Sequence, residues 1–487
     1  MHDHIGLVWF RHDLRVVDNT ALIKASEKCN RLVALYTPTP MQWHEHNVSP
    51  MQANLIERRL IVLKEQLKQL NIPLIMVEVP DFNSLPQVIL ELVGELNIKH
   101  VFCNKQYEWN ENKRDSQVAQ LLANNMVRFT SFDDSCVIPP LKVLTKKGEA
   151  FKVFTPFKRE WLNLFRHQSQ QSARPYPVPE PLDAPPLEVE QLDNQKYQHS
   201  GRIKLTYPFA ETMLWPVDEE AIRQRLVTFC IEKAADYHQN RDIPSIDGTS
   251  CLSPYLALGM LSPRQCIAAL MAEYPECLEY PDEGAFTWLN EIIWREFYRH
   301  LMVAFPKLSR NQPFQPWTSK VPWAHSEDHL RAWQQGRTGF PIVDAAMRQL
   351  LATGWMHNRL RMITASFFTK DLLLHWHIGE QWFMSHLIDG DLASNNGGWQ
   401  WAASTGTDAQ PYFRVFNPTT QGERFDPKGE FIRTWVHELK DVPDKYIHQP
   451  HNWPQAETLD YPKPIVDHKA ARLMAIDVFK KAKGEAS

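Results

Sequence analysis

Between residues 6 and 132 the chain alternates two kinds of segment, and this alternation limits the fold more than any other feature. GLVWF (6–10), RLVALYT (31–37), PLIMVEV (73–79), KHVFCN (99–104) and MVRFTSF (126–132) are short β-branched and aromatic runs that read as buried strands. Between them, 19–28, 51–70, 84–97 and 111–124 carry apolar residues at helical spacing, as with Leu55, Leu60, Leu63, Leu67 and Leu70. Strands joined through helices run parallel, because each crossover returns the chain to the same end of the sheet. The expectation is a doubly wound parallel-sheet α/β domain over 1–133. FRHDLRVVD follows the first strand, where a nicotinamide dinucleotide or ATP fold of the usual type would carry a glycine-rich phosphate loop. Such a site is disfavoured here.

Residues 134–216 change character. Prolines at 175, 177, 179, 181, 185 and 186 exclude a helix or a central strand there, so the segment reads as a long interdomain linker wrapped over the surface of a domain. From 217 to 487 the pattern is helical, giving an expected large all-helical domain and an overall α/β + α class. Asp218 and Ser262 stand where N-caps are needed, and Pro263 follows Ser262 at the first helical position. No internal repeat interrupts this order.

Composition narrows the function classes. No stretch approaches the roughly 20 apolar residues of a membrane span, and MHDHIGLVWFRHDLR lacks the layout of a secretory signal. Seven cysteines (29, 103, 136, 230, 251, 266, 277) form no CxxC pair, which points to reduced buried thiols in a cytoplasmic protein and to no metal centre. Net charge is −4, so any nucleic-acid contact depends on a local basic patch. Thirteen of the 17 tryptophans lie after residue 200, either as core anchors or in a stacking, redox or photochemical role.

Four helical-domain segments could carry chemistry. In TSCLSPYLALGMLSPRQ (249–265), Thr249, Ser250 and Ser253 are either ordinary caps or hydroxyl donors for a phosphate at helix starts. In WLNEIIWREFYRH (288–300), Glu291, Trp294, Arg295, Tyr298 and Arg299 share one helix face, which is either a site floor or a solvated charged face. TGWMHNRLRM (353–362) gathers His357, Asn358, Arg359 and Arg361 beside Trp355 and Met362, a basic patch with aromatic neighbours. The segment 387–418 is dense in Gly, Asn and Asp, poor for a helix and suited to a ligand-enclosing loop in which Asp389, Asp391 and Asn395 read a flat heterocycle.

NEIIWREFYRH, GFPIVDAAMRQL, GWMHNRLRM, DGDLASNNGGWQWAASTGTDAQPYFRVFNP and KYIHQP together resemble the photolyase/cryptochrome family. WFRHDLRVVDN resembles the opening of that family's antenna domain. The likeness runs over essentially the whole chain and is greatest to bacterial class I cyclobutane pyrimidine dimer photolyases with a folate antenna. It implies an N-terminal antenna domain, a linker and a helical domain holding FAD.

Residue by residue, the resemblance implies FAD binding by Tyr237, the run Thr249, Ser250, Cys251, Leu252 and Ser253, and Arg361, Asp389, Gly390, Asp391 and Asn395. Arg361 and Asp389 would pair beside the isoalloxazine, and the neutral amide of Asn395 would accept a hydrogen bond from flavin N5–H. Glu291, Trp294, Asn358, Met362 and Trp401 match the lesion pocket, with Glu291, Asn395, Trp294, Met362 and Trp401 as the catalytic set. Trp399, Trp376 and Trp323 match the photoreduction chain, in that order from the flavin outward. DNA contacts would come from Arg241, Glu291, Trp294, Arg295, Tyr298, Arg299, Asn358, Arg359 and Arg361. Asn110 and Glu111 match residues that bind methenyltetrahydrofolate, with a deazaflavin as the alternative antenna. The implied activity is light-driven splitting of cyclobutane dimers by electron transfer from photoexcited reduced anionic FAD to a lesion flipped out of UV-damaged DNA. The implied protein is a cytoplasmic monomer with no membrane and no obligate protein partner. The rivals are a cryptochrome-type photoreceptor and a DASH-type single-strand photolyase.

Overall fold

The computed structural model describes residues 4–169, 174–193, 195–199, 201 and 203–484, so linker positions 170–173, 194, 200 and 202 and both chain ends lie outside it. Two compact units emerge. The first comprises Met1–Glu232, Ser250–Pro281 and Ala285–Pro306, and the second Lys233–Thr249, Asp282–Gly284 and Lys307–Ser487.

In the first unit the expected alternation forms β1 (Ile5–Phe10), α1 (Thr20–Ser26), β2 (Arg31–Tyr36), α2 (Pro40–Glu45), α3 (Pro50–Gln69), β3 (Leu74–Met76), α4 (Leu85–Glu95), β4 (His100–Asn104), α5 (Trp109–Asn124) and β5 (Arg128–Phe132). The sheet order is β3-β2-β1-β4-β5. Every pairing is parallel, with Val8 opposite Ala34 on one side and Phe102 on the other. β1 is buried along its whole length, as a central parallel strand covered on both faces must be. The short helix α2 was not expected; Pro40 starts it and the buried Trp43 anchors it.

Strand order reverses between β1 and β4, the crevice where this architecture usually takes a ligand. Here side chains fill it. Asp13 accepts from Arg11 N at 2.6 Å and from Asn104 Nδ2 at 2.7 Å, while Asn104 Oδ1 accepts from Ala21 N at 3.0 Å. Arg11 reaches Asp115 at 3.1 Å. The residues in place of a glycine loop thus build a buried polar plug. Beside it, Asp134 bonds Arg15 and Arg264; burial alone would raise its carboxyl, but the two guanidiniums hold it well below the usual carboxylate range.

The proline-rich segment runs extended over this same unit. Tyr176 and Asp18 exchange hydrogen bonds, Leu182 N donates to Leu70 O, and Gln198 pairs antiparallel with Met76. Leu187, Val189, Leu192 and Tyr197 join the core around β1. Earlier in the expected linker the chain forms α6 (Phe154–Leu164), which buries Phe154, Phe157 and Trp161.

Helices dominate afterwards: α7 (Glu219–Glu232), α8 (Tyr237–Asn240), α9 (Ser253–Ala257), α10 (Pro263–Glu273), α11 (Gly284–Ala304), α12 (Glu327–Gln334), α13 (Pro341–Thr353), α14 (Asn358–Ser366), α15 (Trp376–Met384), α16 (Leu392–Ala403), α17 (Pro418–Phe425), α18 (Glu430–Trp435) and α19 (His468–Lys483). Ser262 opens α10 in a reciprocal capping box with Gln265. The second unit's core gathers Trp333, Met347, Leu350, Phe367, Phe368, Phe383 and Trp399. All seven cysteines are free, and six are buried. Among the described residues no helix is long and apolar enough to cross a membrane.

One expectation is corrected. The segment 387–418 is not a loop throughout, because Leu392–Ala403 is a regular helix. Its Asn and Gly residues disfavour a helix in isolation. Asp391 caps the first turn by accepting from Ser394 N at 2.8 Å, and packing of Trp399 and Ala402 into the core supplies the rest.

Candidate functional site

In the second unit the polar residues singled out by sequence converge around the starts of α14 and α16. His357 caps α14, its Nδ1 accepting from Arg359 N at 3.2 Å. One turn on, Arg361 donates from Nε to Met356 O at 2.8 Å and from Nη2 to Asp389 Oδ2 at 2.7 Å. Asp389 is held where Ile388 N bonds Gly354 O, just past the left-handed glycine that ends α13. The backbone thereby fixes a buried carboxylate opposite a guanidinium. Burial pushes the His357 imidazole down to about 4, so it is neutral at pH 7.

Asp391 caps α16 and Gly390 is buried before it. Asn395 Nδ2 donates to the Glu380 carbonyl at 3.0 Å. Glu380 is buried and accepts from Asn396 Nδ2 at 2.8 Å and from His377 Nδ1. Three buried polar atoms of this wall, Asp389 Oδ1, His357 Nε2 and Trp399 Nε1, have no hydrogen-bond partner within the protein. Such atoms are costly unless something polar meets them.

Trp399 and Trp376 are each 2% exposed, and Trp323 is half-buried. Trp399 packs on α15 over Gly379, one turn after Trp376. Tyr237 is buried at the start of α8, and Thr249 is half-buried. Asn358 is exposed, and Met362 and Trp401 are half-buried. The basic patch is less free than its sequence suggests. Arg359 forks onto Asp242 at 3.2 and 2.7 Å and lies 4.5 Å from the Phe425 ring, while Arg241 sits 5.5 Å from the Tyr237 ring.

In the first unit, Ser250 and Cys251 are half-buried, Leu252 is buried and Ser253 is exposed at the start of α9. Cys251 takes a left-handed backbone (φ 49). On α11, Glu291, Trp294 and Tyr298 are half-buried, and Trp294 stacks on Phe154 at 3.6 Å with Tyr298 at 5.6 Å. Arg295 donates to Ser135 O at 2.7 Å and to Leu256 O at 3.1 Å, and Arg299 is 6% exposed. These two arginines were expected to face DNA phosphates. In the protein alone the half-buried Arg295 guanidinium rests on backbone carbonyls and Arg299 is buried.

Further down the same helix, Glu296 and His300 meet Cys136 from the segment after β5, with ligand-type atoms within 4.8 Å. Protein groups already engage two of them: Glu296 accepts from Val137 N, Ile138 N and Trp161 Nε1, and His300 Nε2 donates to Ile138 O at 3.0 Å. The trio serves packing.

At the antenna positions, exposed Asn110 bonds His46 Nε2 at 3.0 Å, and buried Glu111 lies 3.4 Å from His46 Nδ1. Phe82 meets the His46 ring edge-on at 5.7 Å, and Arg114 lies 4.6 Å from Phe82. Burial raises the Glu111 carboxyl and lowers the His46 imidazole, so both shift toward their neutral forms. Sequence reading missed His46 and Phe82. Their signal was weak, since neither lies near 110 in sequence.

Comparison with known proteins is consistent with this layout over the full chain. Residues 6–181 match the DNA photolyase family and residues 288–481 match the FAD binding domain of DNA photolyase. The chain is 51% identical to the deoxyribodipyrimidine photo-lyase of Escherichia coli over 98% of both chains. It is 49% identical to that of Vibrio cholerae, covering 98% of this chain and all of that one. The chain belongs to the photolyase family. Among solved structures, a class III photolyase from Agrobacterium tumefaciens is similar with TM-score 0.83 and 31% identity over 99% of this chain and 98% of that one. A photolyase from Sulfolobus tokodaii crystallised with two FAD molecules has TM-score 0.80 and 26% identity over 98% of this chain and all of that one. A flavin fits the second unit's polar wall: an ion pair and unmatched buried polar atoms suit a planar, hydrogen-bonding, anionic group.

Proposed function

We propose that this photolyase-family chain repairs cyclobutane pyrimidine dimers in UV-damaged DNA, using light and non-covalently bound FAD. The observation that carries the reading is the Arg361–Asp389 ion pair, whose buried carboxylate keeps its second oxygen without a partner within the protein. When bound, reduced FAD supplies the light-driven electron that opens the cyclobutane ring and takes it back afterwards.

The chain's own residues do the rest. Arg361 places positive charge beside a reduced, anionic ring and Asp389 holds that guanidinium in place. The neutral amide of Asn395 would accept a hydrogen bond from the flavin N5–H without contributing charge, and so tune which redox forms persist. Tyr237 and Thr249, with Ser250, Cys251, Leu252 and Ser253 and with Gly390 and Asp391, hold the remainder of the dinucleotide. Glu291 hydrogen-bonds a thymine carbonyl, Trp294 and Trp401 offer flat faces to the bases, and Asn358 and Met362 complete the lesion contacts. A dimer already weakly paired leaves the helix at reduced cost. Arg241 and Arg359 are the phosphate contacts, Arg359 exchanging Asp242 for phosphate. Trp323, Trp376 and Trp399 return an oxidised flavin to the reduced state.

We assign 1–133 as the antenna domain, 134–216 as the linker and 217–487 as the FAD-binding domain. Asn110, Glu111 and His46 bind a methenyltetrahydrofolate antenna, their neutral-leaning hydrogen-bonding groups suiting a pterin edge. The protein acts as a cytoplasmic monomer. Heat-released supernatant tests the cofactor: free flavin on chromatography is expected, and a flavin-free protein that cannot be reconstituted overturns the site.

A further inference from the structure

The electron relay proposed above contains three tryptophans, but the structure seats another ring against two of them. His375 lies 5.4 Å from Trp323, tilted at 63°, and 5.9 Å from Trp376, nearly parallel at 23°. Backbone pairing holds this arrangement, because Ala324 N bonds Leu373 O at 2.8 Å and locks the Trp323 segment alongside the residues before α15. The ring's own orientation is fixed too. His375 is the N-cap of α15, and its Nδ1 accepts from His377 N at 3.2 Å. That bond requires an unprotonated Nδ1.

We propose that His375 is a positioning residue of the relay: its neutral ring sets how Trp323 and Trp376 lie and carries the contact across which an electron passes between them. The proposal rests on the reading of Trp323, Trp376 and Trp399 as a relay. One electron leaves the Trp323 indole and fills the hole on Trp376, restoring a neutral indole there. The ultimate oxidant is photoexcited oxidised flavin, and a soluble thiol then reduces Trp323. No bond forms or breaks at His375.

Neutrality is what the position demands. A protonated imidazole would put a cation in ring contact with both indoles and oppose a hole on either. It would also break the cap. Burial lowers the His375 pKa, and His377 and His325 lower it further. The other charged or titratable groups around it are engaged elsewhere. Glu380 on the same helix bonds His377 and Asn396. In the preceding turn, Lys370 bonds Ala403 O and Ser404 Oγ, and Asp371 bonds His468 of α19.

Two substitutions separate ring from cap. His375→Phe keeps an aromatic ring and removes the cap, whereas His375→Asn keeps a good N-cap and removes the ring. Light-driven reduction of the bound flavin in thiol is measured for each from pH 5 to pH 8, together with flavin content and thermal unfolding midpoint. Phe is expected to photoreduce within about twofold of the unaltered protein at pH 8, to lose the decline toward acid pH, and to unfold at lower temperature. Asn is expected to keep its flavin and unfolding midpoint while photoreduction falls about tenfold or more, the ring contact being gone. The reverse pattern, with Asn photoreducing normally and Phe impaired, reduces His375 to a helix cap and overturns the proposal. Trp323→Phe is measured alongside. If it photoreduces at the unaltered rate, the relay reading fails and takes the proposal with it. If it does not photoreduce while His375→Asn does, the proposal alone fails.

Discussion

Gly379 and Trp399 compete for one space: a methyl group on Gly379 would stand 2.1 Å from Cη2 of the Trp399 indole. The glycine is therefore required by close approach and not by backbone conformation. It lets α16 lay the Trp399 ring directly on α15, one turn from Trp376.

Gly379→Ala should consequently be costly. The added carbon must displace a fully buried indole, an overpacking penalty of about 1–3 kcal/mol or more. Urea unfolding should show the lower midpoint, and light-driven flavin reduction should fall with it. A variant as stable as the unaltered protein would mean that Trp399 does not occupy that space.

The Arg361–Asp389 pair gives a second expectation. Asp389 is buried, whereas the Arg361 side chain is 26% exposed. Removing the arginine leaves a buried carboxylate without its partner, and loss of a buried pair's partner costs about 3–5 kcal/mol, less here because water reaches the guanidinium. Arg361→Ala should purify with little or no flavin, whereas Arg361→Lys, which keeps the charge, should retain more. Equal flavin content in all three proteins would place the cofactor elsewhere.

Acid stability follows from His300. Burial pushes its imidazole down to about 4, against about 6.5 in an unfolded chain. Between these values the unfolded state binds the proton and the folded state does not. The contribution is complete above pH 6.5 and is lost as pH falls toward 4, roughly 3 kcal/mol at most. Denaturant midpoints measured across that range should decline toward acid in the unaltered protein and decline less steeply in His300→Gln. Identical slopes would show that His300 titrates normally.

These cases mark what the sequence made legible. Periodicity located all five strands and four of the five helices of the sheet domain, because burial of the central strands imposes local patterns, although the edge strand β5, read as buried, is exposed or half-buried throughout. It failed at α16, where Asn395, Asn396, Gly397 and Gly398 argue against a helix and only tertiary packing with an Asp391 cap outweighs them. It also passed over α6, ahead of the proline-rich stretch in the expected linker, and α2 before α3. Residue types near the site were readable from motifs, but pairings were not. That Arg359 rests on Asp242, that Asn395 is oriented by Glu380, or that His46 joins Asn110 to Glu111 depends on contacts between distant segments. Helical spacing placed Arg295 and Arg299 on a face with Glu291; it could not show that this face turns inward by the end of α11.

Repair of cyclobutane dimers can be watched directly. The chemically reduced, flavin-loaded protein is mixed with an oligonucleotide carrying one defined thymine dimer and illuminated, while the ultraviolet absorbance of the restored thymines is followed. The account predicts light-dependent recovery of that absorbance, absent in the dark and strongly diminished in Glu291→Ala. Flavin-loaded, DNA-bound protein that restores no thymine under illumination would contradict it and leave a light sensor in its place.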